Sequence, residues 1–215
     1  YKKYPRDLEQ DRILAKSAGC DCVFYPEVKE MYPADYLTYV DVKKISEGLC
    51  GKSRPGHFRG VATVVNKLFN IVQPDIAYFG EKDYQQALVI KKMVSDLNMP
   101  LAVKLMPIIR EADGLAMSSR NSYLNPQERA EAVVLYQSLC KAGKLIKEGE
   151  RNPAKIISRI KENITSKSRA KIDYISIVNS KTLEELKTVR GDVLIALAVC
   201  IGKTRLIDNM TIRCR

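Results

Sequence analysis

The clearest periodic signal in the chain lies between residues 61 and 72. Val61, Val64, Val65, Leu68, Phe69 and Val72 recur at the three- and four-residue spacing of one helix face, and Pro74 closes the segment. Residues 76–79 then form a short apolar run between Pro74-Asp75 and Gly80, the pattern of a strand. Helical spacing returns over residues 84–98, and residues 101–108 read as a further strand. Upstream, Asp7 stands as a helix cap with Gln10 at capping-box spacing. It predicts a helix over residues 8–18 with Leu8, Ile13, Leu14 and Ala18 on its apolar face and Gly19 as its stop. Residues 22–25 predict a short buried strand closed by Pro26, residues 27–35 a loop with a short helix, and residues 36–42 alternate like a strand. Strands and helices in alternation, with short links, predict parallel right-handed crossovers in an open α/β sheet.

Past residue 108 the pattern changes. Asn125-Pro126 opens a helix running to about Gly143 or Glu148, with proline at the first helical position. A second helix spans residues 153–164, and residues 172–178 form a strand whose alternation breaks at Asp173. Residues 183–186 predict a helical turn, and residues 193–201 and 204–212 a hairpin joined by Gly202-Lys203. Helices followed by antiparallel strands describe an α+β unit. The division falls at residues 108/109.

Composition narrows the class. With 46% apolar and 28% charged residues the chain can bury a core. No apolar stretch reaches 18 residues, so no transmembrane helix is expected. The basic start, Tyr1-Lys2-Lys3-Tyr4-Pro5-Arg6, is followed by no apolar segment of signal-peptide type. The chain opens without Met, which points to a fragment or a processed chain. A net charge of +11 suits an anionic partner: nucleotide, phosphate, carboxylate or nucleic acid. A basic nucleic-acid-binding module is one alternative, although no run of five like charges and no aromatic-rich RNA-binding signature occurs. The six cysteines show no C-x-x-C spacing and read as thiols in a reducing cytoplasm. A single histidine excludes a multi-histidine metal site.

Three windows carry chemistry. The first, Phe79-Gly80-Glu81-Lys82-Asp83-Tyr84-Gln85-Gln86, is a strand end, a glycine turn and a helix start. Free N–H groups and a partial positive charge at a helix start attract phosphate, and Lys82 adds a full charge. The same residues also read as a turned loop with a surface lysine. The second, Arg54-Pro55-Gly56-His57-Phe58-Arg59-Gly60, places cations at another helix start. There His57 reads first as a structural hydrogen-bonder at a helix end. The third, Arg110-Glu111-Ala112-Asp113-Gly114-Leu115-Ala116-Met117-Ser118-Ser119-Arg120-Asn121, gathers two hydroxyls, a guanidinium and an amide in its last four residues, groups that can clamp phosphate oxygens. Alone it also reads as a polar linker.

In this order and spacing, the three windows closely resemble the pantothenate synthetases, also called pantoate–β-alanine ligases. Tyr4-Pro5-Arg6 and Thr204-Arg205-Leu206-Ile207-Asp208-Asn209 resemble the family as well, so the likeness covers essentially the whole chain. It implies that ATP and (R)-pantoate form pantoyl adenylate and pyrophosphate with Mg²⁺. β-Alanine then attacks the acyl adenylate to give pantothenate and AMP. It implies a partial Rossmann-like parallel-sheet domain of nucleotidyltransferase, class I synthetase type, over residues 1–108, binding nucleotide and pantoate. A smaller α+β C-terminal lid domain would cover residues 109–215. The resemblance further implies a cytoplasmic homodimer with small-molecule substrates and no nucleic-acid or membrane partner. Another nucleotidylyltransferase of the same superfold is the second alternative.

Carried over residue by residue, Gly80, Glu81, Lys82 and Asp83 match the family's ATP-binding turn, and Gln86 its pantoate-binding glutamine. Ile109 matches the backbone contact to adenine. Met117, Ser118, Ser119 and Arg120 match a loop similar to the K-M-S-K-S loop of class I synthetases. Arg54, His57 and Tyr4 match positions lining or bordering the pocket. On this likeness Lys82, Ser118, Ser119 and Arg120 stabilise transition-state charge, and no side chain is assigned to a metal. The family's H-x-G-H histidines, and a glutamine shared by pantoate and β-alanine, have no counterpart in the 215 residues. The chain is therefore expected to be an N-terminally truncated member with an exposed apolar edge and weak or no activity.

Overall fold

Asp7 caps the first helix: its carboxylate accepts the Gln10 amide at 3.0 Å. Such a cap satisfies one of the orphan N–H groups at a helix start. The computed structural model describes residues 7–214, so Tyr4 lies outside the described residues. These residues fall into two compact units divided between Thr38 and Tyr39.

The first unit holds helix α1 (Leu8–Ser17) and a single-turn helix α2 (Val28–Met31), which Glu27 and Glu30 close with a capping box. Tyr32 and Tyr36 meet edge to face at 5.1 Å. Two expectations fail. Ile13 and Leu14 on the apolar face of α1 are more than half exposed, and residues 22–25 form no strand, with Val23, Phe24 and Tyr25 exposed. A strand is secured by ladder hydrogen bonds to a neighbour, and among the described residues none pairs with these four. Residues 36–42 form no strand for the same reason. Within the second unit, the Val40 amide donates to Thr63 Oγ1 at 3.0 Å instead.

The second unit begins with a short helix α3 (Cys50–Ser53) and helix α4 (His57–Val72). Helix α4 starts before its apolar periodicity does, because Gly56 takes a left-handed φ of 75° and turns the chain into it. Strand β1 (Ile76–Gly80), a 3₁₀ turn (Glu81–Asp83), helix α5 (Tyr84–Asp96) and strand β2 (Ala102–Met106) follow. The two strands pair in parallel, Ile76 opposite Ala102 and Gly80 opposite Met106, as the crossover pattern predicts. Ala77, Phe79 and Val103 pack against Phe58, Phe69, Val89 and Ile90 of the two helices, while Tyr78 and Met106 face outward. Among the described residues one face of this small sheet is therefore covered, while Ile76, Tyr78 and Met106 on the other are exposed.

Asn125 caps helix α6 (Pro126–Ala132) through a capping box with Glu128. The single helix expected here is interrupted at Val133, after which helix α7 (Val134–Lys147) continues. Helix α8 (Pro153–Thr165) leads to an antiparallel sheet of β3 (Ala170–Asn179), β4 (Gly191–Ile201) and β5 (Thr204–Cys214). The β3–β4 register shifts between Ile172 and Tyr174, where Asp173 breaks the alternation. Residues 183–186 are not a helical turn: Leu183 adopts a φ of 60° and Glu185 bridges to Val178. Val193, Ile195, Leu197 and Val199 pack under α7 and α8, where Leu139, Ile146, Ile156 and Ile160 are fully buried. Each such side chain contributes about 1.5–3 kcal/mol of burial. On the opposite face Leu194 and Ala196 meet Leu49, Tyr84 and Tyr174. A sheet covered on both faces explains why β4 reads as a continuous apolar run. It also seats Tyr84, the first residue of α5, against the C-terminal sheet.

Candidate active site

Lys82 sits in the 3₁₀ turn between β1 and α5, four-fifths buried, with its Nζ 3.6 Å from Asp83 Oδ2. Asp83 occupies the cap position of α5 without making a cap hydrogen bond, which leaves its carboxylate to the lysine. Asn209 of β5 donates from Nδ2 to the carbonyls of Glu81 (2.9 Å) and Lys82 (3.0 Å).

Residues 109–117 fold back on themselves. Met117 N donates to Ile109 O at 2.9 Å, Arg110 bridges Ala116, and Glu111 N donates to Leu115 O. Gly114 makes the reversal possible: its φ is 94°, and a Cβ there would lie 2.1 Å from the Tyr136 ring. Arg129 grips Glu111 at 2.6 Å and Asp113 at 2.7 Å, and its hydrogen bonds hold both carboxyls below their ordinary range. Asn121 donates to Glu111 and to Ala116 O, which ties the reversal to the residues after it. Ser118 caps the 3₁₀ turn Ser119–Tyr123, its Oγ accepting the Arg120 amide. Arg110 is half-buried against this loop. It clamps Asp208 with two hydrogen bonds (2.7 and 2.9 Å), donates to Gly114 O and stacks 4.1 Å from the Tyr136 ring.

Lys82, Ser118, Arg120, Asn121, Arg205 and Asp208 line one cleft. Three of the expected residues therefore meet, from turns that lie far apart in the sequence. Gly80, Glu81 and Asp83 belong to the adjoining turn. Ser119 and Met117 flank Ser118, and Ile109 opens the reversal; all three are exposed. Gln86 is half-buried one turn into α5 and does not line the cleft. Asp208 is paired with Arg110, Lys82 with Asp83 and Arg205 with Asp173, and Arg120 adds a further cation, so Lys82, Arg120 and Arg205 bring three cationic groups to the cleft. Cations converging with a hydroxyl suit phosphate oxygens.

His57 joins this field. Arg54 Nη1 lies 3.2 Å from its Nε2, and burial, then the positive charge of Arg54, with smaller contributions from Arg120 and Arg205, hold the imidazole below its ordinary pKa against the pull of Asp83. The hydrogen-bonding role expected for His57 is thus present, beside the cations of the cleft.

Arg205, Asp208, Asn209 and Gln85 carried no role in the sequence reading. Arg205 binds Asp173 Oδ2 through Nε (3.0 Å) and Nη2 (2.7 Å), and Nη2 also reaches Cys50 Sγ at 3.7 Å. Buried Gln85 pins the preceding loop: it accepts from Cys50 N and donates to Ile45 O and Gly48 O. The signal that could have found the first three is a charged or amide residue recurring within the otherwise apolar strand 204–212. Gln85 had only its adjacency to Gln86.

Residues 1–211 match the family model described as Pantoate-beta-alanine ligase. The chain belongs to this family. It is 58% identical over 212 residues to the pantothenate synthetase of Heliobacterium modesticaldum and 57% identical over 212 residues to that of Moorella thermoacetica. In each case 99% of this chain and 75% of the relative are covered. Its structure resembles the crystal structure of pantothenate synthetase from Thermus thermophilus, with a TM-score of 0.93 at 44% identity, covering 97% of this chain and 75% of that one. A Francisella tularensis pantoate-beta-alanine ligase complexed with beta-gamma ATP and beta-alanine matches with a TM-score of 0.77 at 34% identity, covering 98% of this chain and 72% of that one. Ligase-family membership agrees with the fold, a parallel α/β sheet beside a separate antiparallel sheet.

Proposed function

We propose that this chain is a pantoate–β-alanine ligase, and that the cleft between the Lys82 turn and residues 118–120 is where ATP activates pantoate. The observation that carries the reading is the meeting of Lys82, Ser118 and Arg120 in one cationic cleft of a chain from this family. The pantoate carboxylate is already a nucleophile at neutral pH and needs no general base. Its oxygen bonds to the α-phosphorus of ATP as the bond to the bridging oxygen of the β-phosphate breaks, and pyrophosphate leaves with the electron pair. The β-alanine amine then attacks the acyl carbon, AMP departs, and the amine proton is lost to solvent.

The protein's task in the first step is to align two anions and hold the charge that moves onto the leaving phosphates. Lys82, Ser118, Ser119 and Arg120 take that charge, and Asp83 orients Lys82. Gly80 and Glu81 shape the turn, Ile109 and Met117 border the nucleotide, and Gln86 orients pantoate. Arg54 and His57 border the pocket, and Tyr4 is assigned there by resemblance alone. Among the described residues no three acidic, histidine or cysteine side chains gather to hold a metal. Mg²⁺ is read as part of the substrate, entering on the phosphates. We further read residues 1–108 as the nucleotide- and pantoate-binding domain and residues 109–215 as its lid, in a cytoplasmic homodimer. A basic nucleic-acid-binding module is not favoured, since the family match covers residues 1–211.

Pyrophosphate release with ATP, Mg²⁺ and pantoate, measured on a full-length version of the protein because weak or no activity is expected of these 215 residues alone, tests the reading. Lys82→Ala should lower the rate by roughly 10²–10³-fold, the scale for losing one preorganised charge donor. A Lys82→Ala protein with undiminished release would sink the assignment.

A further inference from the structure

Asp208 and Asn209 stand side by side in β5, both buried. A buried carboxylate and a buried amide are costly unless fully paired, and successive strand residues face opposite ways. Asp208 accepts Arg110, whose guanidinium also holds Gly114 O of the 109–117 reversal. Asn209 grips the carbonyls of Glu81 and Lys82 on the other wall of the cleft. The Asn209 backbone N–H donates in turn to Asp208 Oδ1 at 2.8 Å, which links the two grips.

The two carbonyls held by Asn209 flank the Lys82 Cα. Each peptide unit is planar, so the orientation of the Glu81 carbonyl sets one side of the Lys82 φ, and the Lys82 carbonyl sets one side of its ψ. One amide group holding both carbonyls therefore fixes both backbone dihedrals of Lys82, and with them the direction of its Cβ. The turn that carries Lys82 is three residues of 3₁₀ helix, whose own hydrogen bonds are poorly aligned and give it little rigidity. We propose that Asn209 is a positioning residue for Lys82, and that the Asp208–Asn209 pair makes β5 the spacer between Lys82 and residues 118–120. The inference rests on Lys82 acting on the nucleotide phosphates as set out above.

A double-mutant cycle on pyrophosphate release by the same full-length version tests it. Misplacing a catalytic group by about 1 Å costs on the order of 10²-fold. Asn209→Ala should lower kcat by roughly 10- to 100-fold with less than about 3-fold change in the KM for ATP. In a Lys82→Ala background the same change should cost less than about 2-fold, because the group it positions is gone. An equal factor in both backgrounds would overturn the proposal. Asn209→Asp keeps the size and removes the donors, so it should behave as Asn209→Ala; retained activity would show that the donors do not matter. Amide hydrogen exchange reads the clamp without turnover. Asn209→Ala should speed exchange at residues 81–84 by about 10-fold or more while β3 and β4 stay protected. Unchanged protection at residues 81–84 would dismiss the clamp. If Lys82→Ala leaves pyrophosphate release undiminished, the reading of the cleft falls, and the exchange experiment still decides the clamp.

Discussion

At the scale of single residues, one missing methyl group decides the shape of the 109–117 reversal. A Cβ on Gly114 would lie 2.1 Å from the Tyr136 ring, at a φ of 94° that side chains disfavour. The Tyr136 ring is also the surface on which Arg110 stacks, so pushing it aside disturbs the Arg110–Asp208 pair. Gly114→Ala should cost about 2–5 kcal/mol from backbone strain and overpacking together. In a chain of this size that lowers the melting temperature by about 5–15 °C. A melting temperature within about 2 °C of the parent would contradict the account. The contrast between Gly114 and Lys82 shows what the sequence could convey. Lys82, Ser118 and Arg120 could be singled out as candidates for phosphate chemistry because residue type and turn signals are written locally, and the three line one cleft. The need for glycine at 114 depends on a ring 22 positions away, and the hold of Asn209 on the Lys82 carbonyl spans 127 positions. No local pattern records either contact.

At the scale of elements, Arg129 turns a flexible stretch into a fixed wall. It stands in α6 and binds Glu111 and Asp113, while Asn121 closes the stretch from its far end. Both carboxyls are held below their ordinary values of 4.5 and 3.8, first by the hydrogen bonds from Arg129. A carboxyl with a depressed folded-state pKa binds fewer protons folded than unfolded. Its stabilisation is present above about pH 4.5 and drains away as pH falls below that value. Both groups are more than one-third solvent-exposed, so the contribution is about 1 kcal/mol or less. Thermal melts between pH 6 and pH 3 should show Arg129→Met with a lower plateau and a shallower acid decline than the parent. Parallel pH profiles would argue that the ion pairs contribute nothing. Elements were otherwise legible where their causes were local. Asp7, Asn125 and Asn152 each cap a helix through bonds spanning two or three residues, and each of those starts was foreseen. Residues 22–25 and 36–42 misled because a strand exists only with a partner, which its own residues cannot reveal.

For the molecule as a whole, two surface properties oppose each other. The first unit exposes Val23, Phe24, Tyr25, Val28 and Leu37, the last 87% accessible. The second unit exposes Ile71, Val72, Ile76, Met106 and Tyr78, the last 60% accessible. Apolar side chains exposed in this number favour association. Against this stands a net charge of +11, which keeps like molecules apart while the field extends far enough to act. The Debye length is about 30 Å at 0.01 M salt and about 3 Å at 1 M, whereas apolar contact does not weaken with salt. The chain should therefore stay dispersed at about 0.01–0.02 M salt and associate as salt rises toward about 0.5 M, reversing the usual effect of salt on charge-driven complexes. Light scattering at fixed protein concentration, with an apolar dye reporting the exposed surface, follows the change. Tyr78→Lys together with Phe24→Lys should move the onset to higher salt, because each change removes apolar surface and adds repulsion. Equal scattering across the whole range would mean that the exposed apolar residues do not govern how the chain meets its own copies. Scattering that falls with salt would show instead that opposite charges draw the molecules together, and both results would defeat this account of the surface.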